Sequence, residues 1–221
     1  MADTVVHAFA TMMAPDAELI RRLDTADEIT ERILAAAAEQ IATAGWRRST
    51  VDDVARRARL GRATVYRRFP TKKDLTDAVV LNEVRTYLAG STAAVRALTD
   101  VAERIVESTA YTVEFLREHR LLRRLLETEP DAVLPALTLD AGPLVDLARE
   151  FIVGIWRREL HGDNAIDDDR LERLRTVAEL HVRITLSFVL TGHTAVPLDT
   201  AEQARRFARA HLVPMLGLRS G

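Results

Sequence analysis

Between Ser49 and Leu75 the chain reads STVDDVARRARLGRATVYRRFPTKKDL, and the chemistry that this stretch can do is to hold a polyanion. From Gly45 to Leu75 stand ten of the chain's 31 basic residues against three of its 33 acidic ones, Asp52, Asp53 and Asp74; the segment is net +7 and the remainder net −9. A nucleic acid would be drawn to the first and repelled by the second. Arg62 and Arg67 are long enough to offer paired donors to a guanine edge, and Thr64 suits a phosphate or a thymine methyl. Ala63 and Arg68 share their outward face, and Tyr66 packs by its ring and offers its hydroxyl to a phosphate. Thr50 and Lys72 stand at helix starts, where a side chain and free N–H groups bind backbone phosphate together. The chain's two lysines, Lys72 and Lys73, both fall here.

Other chemistry finds no support. The chain has no cysteine, which removes disulfides, thiolate metal sites and a cysteine nucleophile. It has no G-x-S-x-G, P-loop, G-x-G-x-x-G or H-E-x-x-H, and Ser91 and Ser187 lie in no nucleophile context. His119, His161, His181, His193 and His211 lack metal-ligand spacing. No enzyme, metal or cofactor is expected. The N-terminus does not read as a signal peptide, and no apolar run approaches the ~18 residues of a membrane span. A cytoplasmic protein that does not engage a membrane is expected.

With 48% hydrophobic and 29% charged residues of both signs, the chain can bury a core, and its Ala, Leu and Arg bias points to an all-α protein. Residues 1–26 read as a mobile arm. Ile29, Ile33, Leu34, Ala37 and Ile41 share one face of a helix over Asp27–Ala44, which Gly45 stops. Thr50 caps a two-turn helix ending near Arg57 or Ala58. Leu60 and Gly61 turn the chain, and Arg62 opens a third short helix, whose Val65, Tyr66 and Phe69 face inward; Pro70 closes it. Thr71 caps a long helix that breaks at Gly90-Ser91. Two short helices across a tight turn, after a longer one, form the helix-turn-helix arrangement. Further helices are expected over Val101–Arg117, Leu121–Leu126, Leu144–Leu160, Asp168–Leu190 and Thr200–Leu216, with Leu134–Asp140 irregular.

Thr50-Val51-Asp52-Asp53-Val54-Ala55, Ala58, Leu60, the run from Arg62 to Pro70 and Lys72-Lys73-Asp74-Leu75 resemble the signature of the TetR family of transcriptional regulators. The match covers about Asp27 to Val80. It implies a homodimer of about nine helices, with a three-helix DNA-binding head (27–74) and a helical effector-binding and dimerisation body (75–221). It also implies that Thr64, Tyr66 and Lys72 touch the DNA backbone. One departure stands out: Arg59 occupies the turn position where the family has glycine. Either the turn is reshaped or Arg59 itself takes a positive φ.

The resemblance further implies that the last two helices pair across a two-fold axis. Leu174, His181, Ile184, Phe188, Ala204, Phe207, Ala208, His211, Leu212 and Met215 are the expected interface, and a chain-internal core is the competing reading. Tyr111, Phe115, His119, Phe151, Ile155, Trp156 and Arg183 are the expected lining of a small, mostly apolar effector site. The function expected is a repressor released from a near-palindromic double-stranded DNA operator by an unknown small apolar effector. The alternative is a helical sensor or scaffold that acts through a protein partner and keeps a vestigial DNA-binding head.

Overall fold

The structure, a computed structural model, describes residues 26–161, 164–191 and 194–217; the arm expected at 1–26 lies almost wholly outside them, as do Gly192 and His193. Among the described residues every regular element is a helix, and these form two compact units. One contains the described residues up to Thr86 together with His119–Leu144, and so takes in more than 27–74. The other contains Tyr87–Glu118 and the residues from Val145 on.

In the first unit, α1 (Glu28–Ala44) starts where the Asp27 carboxylate accepts the Thr30 N–H at 2.9 Å and stops at Gly45, φ 82°. Then come α2 (Val51–Arg57), α3 (Arg62–Arg68) and α4 (Lys72–Val95). Ile33, Leu34, Ala37 and Ile41 of α1 meet Val51, Val54 and Ala55 of α2, Val65 and Phe69, and Leu75, Ala78 and Val79 of α4 in one core. Leu121 and Leu125 of α6 (Arg120–Thr128) pack against it. His119 caps α6 by accepting the Leu122 N–H at 3.1 Å, with its other nitrogen 3.1 Å from Glu83. Of the segment expected to be irregular, Leu134–Asp140, the first part is helical, the end of α7 (Pro130–Leu137), and only Thr138–Asp140 form a turn. Pro130 sits in its first turn, where a missing N–H costs nothing, and Val133, Ala136 and Leu137 are buried.

The second unit holds the end of α4, α5 (Val101–Glu118), most of α8 (Gly142–His161), α9 (Asp168–Leu190) and α10. The last runs as α-helix over Ala201–Phe207, as a π-helical turn over Ala208–Leu212 and again as α-helix over Val213–Met215. Ala102, Ile105 and Val106 of α5 pack with Val153 and Trp156, with Leu174, Val177 and Ala178, and with Ala208, Leu212 and Val213. Two bidentate ion pairs join α10 to α5: Arg205 with Glu107 at 2.7 and 2.8 Å, and Arg209 with Glu103 at 2.8 and 3.1 Å.

No break occurs at Gly90-Ser91, since α4 continues to Val95. Gly90 answers a different need: a Cβ there would lie 1.8 Å from the Tyr111 hydroxyl. The Tyr111 ring has little room to retreat, with the rings of Tyr87 and Phe115 each 6.0 Å away. Gly90→Ala should therefore destabilise the protein by about 1–3 kcal/mol through overpacking, although alanine is the better helix former by ~1 kcal/mol. A urea midpoint at or above that of the wild type would contradict this.

Candidate nucleic-acid interface

The reading surface is built on two seven-residue helices that cannot stand alone. Thr50 caps α2 with a reciprocal box: its hydroxyl accepts the Asp53 N–H at 3.1 Å and donates to the Asp53 carboxylate at 2.6 Å, which also accepts the Thr50 N–H at 3.1 Å. Those bonds hold Asp53 below the usual carboxylate range, and Arg56 pairs with it as well. The Thr50 hydroxyl is thus already engaged within its own cap.

At the other end of α2, the Arg59 N–H bonds Arg56 O at 3.2 Å and the Leu60 N–H bonds Ala55 O at 2.9 Å. This pair of bonds is the Schellman C-cap, which calls for a left-handed residue at Arg59's position. Arg59 supplies it with φ 54°, so the turn keeps its shape and the arginine bears the strain. Arg32 of α1 donates to Ala58 O at 2.8 Å, closing the same helix end.

α3 has no side-chain cap, because Gly61 precedes it. Val65, 0% exposed, and Phe69, 4%, hold it to the core. Arg62, Ala63 and Arg67 are exposed, and Thr64 is half-buried. Tyr66 departs from its expected inward position: at 45% exposure it stands on the outer face, since in a helix that buries Val65 and Phe69 its ring lies on the other side. Arg62 Nη1 is 3.0 Å from Asp52 of α2, and Arg67 has no ion pair among the described residues.

Two expected DNA contacts are engaged elsewhere. Arg68 turns back to α1, where its guanidinium donates to both Asp27 carboxylate oxygens at 2.7 Å and to the Thr30 hydroxyl at 2.6 Å. It ties the end of α3 to the start of α1 and does not face outward with Arg67. Lys72 donates to the carbonyls of Trp46 at 2.8 Å and Arg47 at 3.4 Å, 5.0 Å above the Trp46 ring. Burial lowers its pKa, and the charge of Glu129 opposes that. Thr71 caps α4 as expected, in a box with Asp74.

The expected effector residues fall into separate groups. Tyr111 and Phe115 gather with Tyr87, whose hydroxyl is 2.8 Å from that of Thr112. Burial raises the Tyr87 pKa. Trp156 is buried with Ile155 beside it, and its ring centre lies 6.3 Å from that of His181, whose pKa burial pushes down to about 4. Phe151 is half-buried and Arg183 is exposed, paired with Glu179 at 2.8 Å. His119 belongs to the first unit, as the cap of α6.

The residues of the expected dimer face divide by burial. Leu174, Ala204, Ala208 and Leu212 are buried within their own chain, against α5 and its neighbours. Phe188, Phe207 and Met215 are half-buried against those cores. His181 and Ile184 are half-buried, His211 is exposed, and Leu180 is 41% exposed. The small residues of α10 admit α5, so the chain-internal alternative accounts for them.

A short helix presenting Arg62, Thr64, Tyr66 and Arg67, braced by a second helix across a tight turn, defines a helix-turn-helix DNA-binding protein. Residues 33–79 match the profile described as "Bacterial regulatory proteins, tetR family", and residues 100–210 match "Bacterial Tetracyclin repressor, C-terminal domain". The chain belongs to the TetR family and is a DNA-binding transcriptional regulator. It is 26% identical over 198 residues to the HTH-type transcriptional activator FasR of Mycolicibacterium smegmatis, covering 78% of this chain and 86% of that one. Among solved structures it is similar to the TetR family repressor AlkX from Dietzia sp., implicated in biodegradation of n-alkanes (TM-score 0.58, 20% identity, 87% of this chain, 97% of that one). A TetR-like regulator from Rhodococcus sp. RHA1 aligns at TM-score 0.49 with 14% identity, over 81% and 93% of the two chains. Among the described residues no helix is long and apolar enough to cross a membrane.

Two outcomes follow. The bonds from Arg68 and Thr30 depress Asp27 from 3.8 to about 2, so its folded-state stabilisation is complete above pH 3.8 and is lost as pH falls toward about 2. Urea midpoints should fall across that window in the wild type and less steeply in Asp27→Asn; parallel curves would contradict the brace. Arg59→Gly should stabilise the chain by about 1 kcal/mol, because glycine takes positive φ without the Cβ penalty. An unchanged or lowered midpoint would show that Arg59 bears no strain.

Proposed function

We propose that this regulator binds a near-palindromic operator as a homodimer, reading bases with Arg62 and Arg67 and backbone with Thr64 and Tyr66, and that a small apolar effector releases it as a repressor. The observation that carries the reading is the outward row Arg62, Ala63, Tyr66 and Arg67 on a helix fixed by Val65 and Phe69. The Asp52–Arg62 pair is exposed and therefore weak; Arg62 can exchange that carboxylate for a guanine edge. Lys72 keeps a supporting role, holding the turn before Thr50, and two such heads would meet half-sites about 34–36 Å apart. The exposed Leu180 with Ile184 on α9 is the apolar surface that favours a second copy, and the buried face of α10 is not. The aromatic group Tyr87, Tyr111 and Phe115 favours an apolar effector.

A second reading, activation, is favoured by the likeness to an activator at 26% identity. Deleting the gene and measuring transcripts beside the bound sites separates the two, since loss of a repressor raises them and loss of an activator lowers them.

Duplexes selected from a random pool by the full-length chain should converge on an inverted repeat; single half-sites would overturn the dimeric reading. On the selected duplex, Arg62→Ala and Arg67→Ala should each weaken binding by about 1–3 kcal/mol and relax preference at one base position. Tyr66→Phe should weaken all sequences alike. Binding that does not weaken as salt rises would favour the protein-partner alternative.

A further inference from the structure

Glu129 lies 54 residues beyond Leu75, the end of the basic segment, yet in the same unit as the helix-turn-helix. It joins α6 to α7: its N–H bonds Leu125 O at 2.8 Å, and Pro130 follows. At 6% exposure it is one of the few buried acids among the described residues, and a buried carboxylate is costly unless hydrogen-bonded. One oxygen accepts the Arg47 N–H at 2.8 Å across 82 residues of sequence. The other is 3.9 Å from the Arg47 guanidinium and has no hydrogen bond among the described residues.

The turn that it grips leads directly into the DNA-reading helices. Gly45 makes room for it: φ is 82°, and a Cβ there would lie 2.8 Å from the Glu129 carboxylate. Lys72 takes the Trp46 and Arg47 carbonyls of the same turn, while the Ser49 hydroxyl donates to Gly45 O at 2.6 Å. Glu129 therefore holds a backbone donor of residues 45–49 and Lys72 the acceptors. Arg47 and Arg48, both exposed, spring from this turn, and Thr50 begins α2 directly after it.

We propose that Glu129 is a positioning residue for DNA binding: by fixing the 45–49 turn it sets where α2 begins and where the Arg47 and Arg48 side chains meet the phosphate backbone. Operator affinity then depends on the α6–α7 junction, outside the helix-turn-helix itself. The inference rests on the DNA-binding reading, and electrostatics sharpens it. Removing an anion from beside a cationic surface would by itself tighten binding to a polyanion; loss of positioning must weaken it.

The experiment measures affinity of the full-length chain for the duplex selected by the wild type, at several salt concentrations, together with hydrogen exchange at the Arg47 amide. Glu129→Ala should weaken binding by about tenfold or more, with a shallower salt slope as the Arg47 and Arg48 phosphate contacts loosen, and should expose the Arg47 amide. Glu129→Gln, whose carbonyl still accepts that N–H, should stay within a few-fold of the wild type and keep the amide protected. Glu129→Asp keeps the charge but withdraws it, and should behave like the alanine variant; it also serves if Glu129→Ala does not fold. Wild-type or tighter affinity in Glu129→Asp or Glu129→Ala overturns the proposal. Failure of the wild type to select any duplex would instead count against the DNA-binding reading.

Discussion

A seven-residue helix is too short to be stable by its own hydrogen bonds, and the recognition helix α3 is seven residues long, without a side-chain cap. Its position is consequently a property of what surrounds it. Val65 and Phe69 fix its depth by burial, Arg68 fixes its C-terminal end on Asp27, and Asp52 holds Arg62 at its start. The left-handed Arg59 sets its angle to α2. Each tie comes from a different element, so the helix is located by several independent constraints and not by propensity.

The acids of the basic segment have matching roles. Asp53 and Asp74 close capping boxes, and Asp52 meets Arg62. None is a stray negative charge facing an incoming phosphate. Exposed ion pairs of this kind add little stability, but they limit the rotamers that an arginine explores before DNA arrives. The surface is thereby partly ordered in advance while staying free to exchange partners.

What the sequence made legible were features whose cause is local. The starts of α1, α2 and α9 follow from Asp27, Thr50 and Asp167 bonding backbone three residues on, and such spacing can be read directly. The strained turn was legible too, because a single side chain stands where glycine is expected. Tyr66 was misplaced because an aromatic ring beside two core residues looks apolar, whereas the helical angle between it and Val65 puts it outside. The bonds of Arg68 and Lys72 leave no local signal, since Asp27 lies 41 residues from the one and the Trp46 carbonyl 26 from the other. Glu129 carries no signal at all in a linear reading. The alanine stripe of α10 was visible, but small residues admit a neighbouring helix from the same chain as readily as from a second one.

The π-helical turn at Ala208–Leu212 gives α10 one residue more than an α-helix needs to cover the same length. Leu212 and Val213, where it ends, are both buried, and it offsets every position beyond it by about 100° relative to a continuous α-helix. A relative with an uninterrupted last helix would carry one residue fewer there. Aligned without a gap, its Met215 equivalent would be matched to the wrong face, and the difference would read as divergence when it is a change of register.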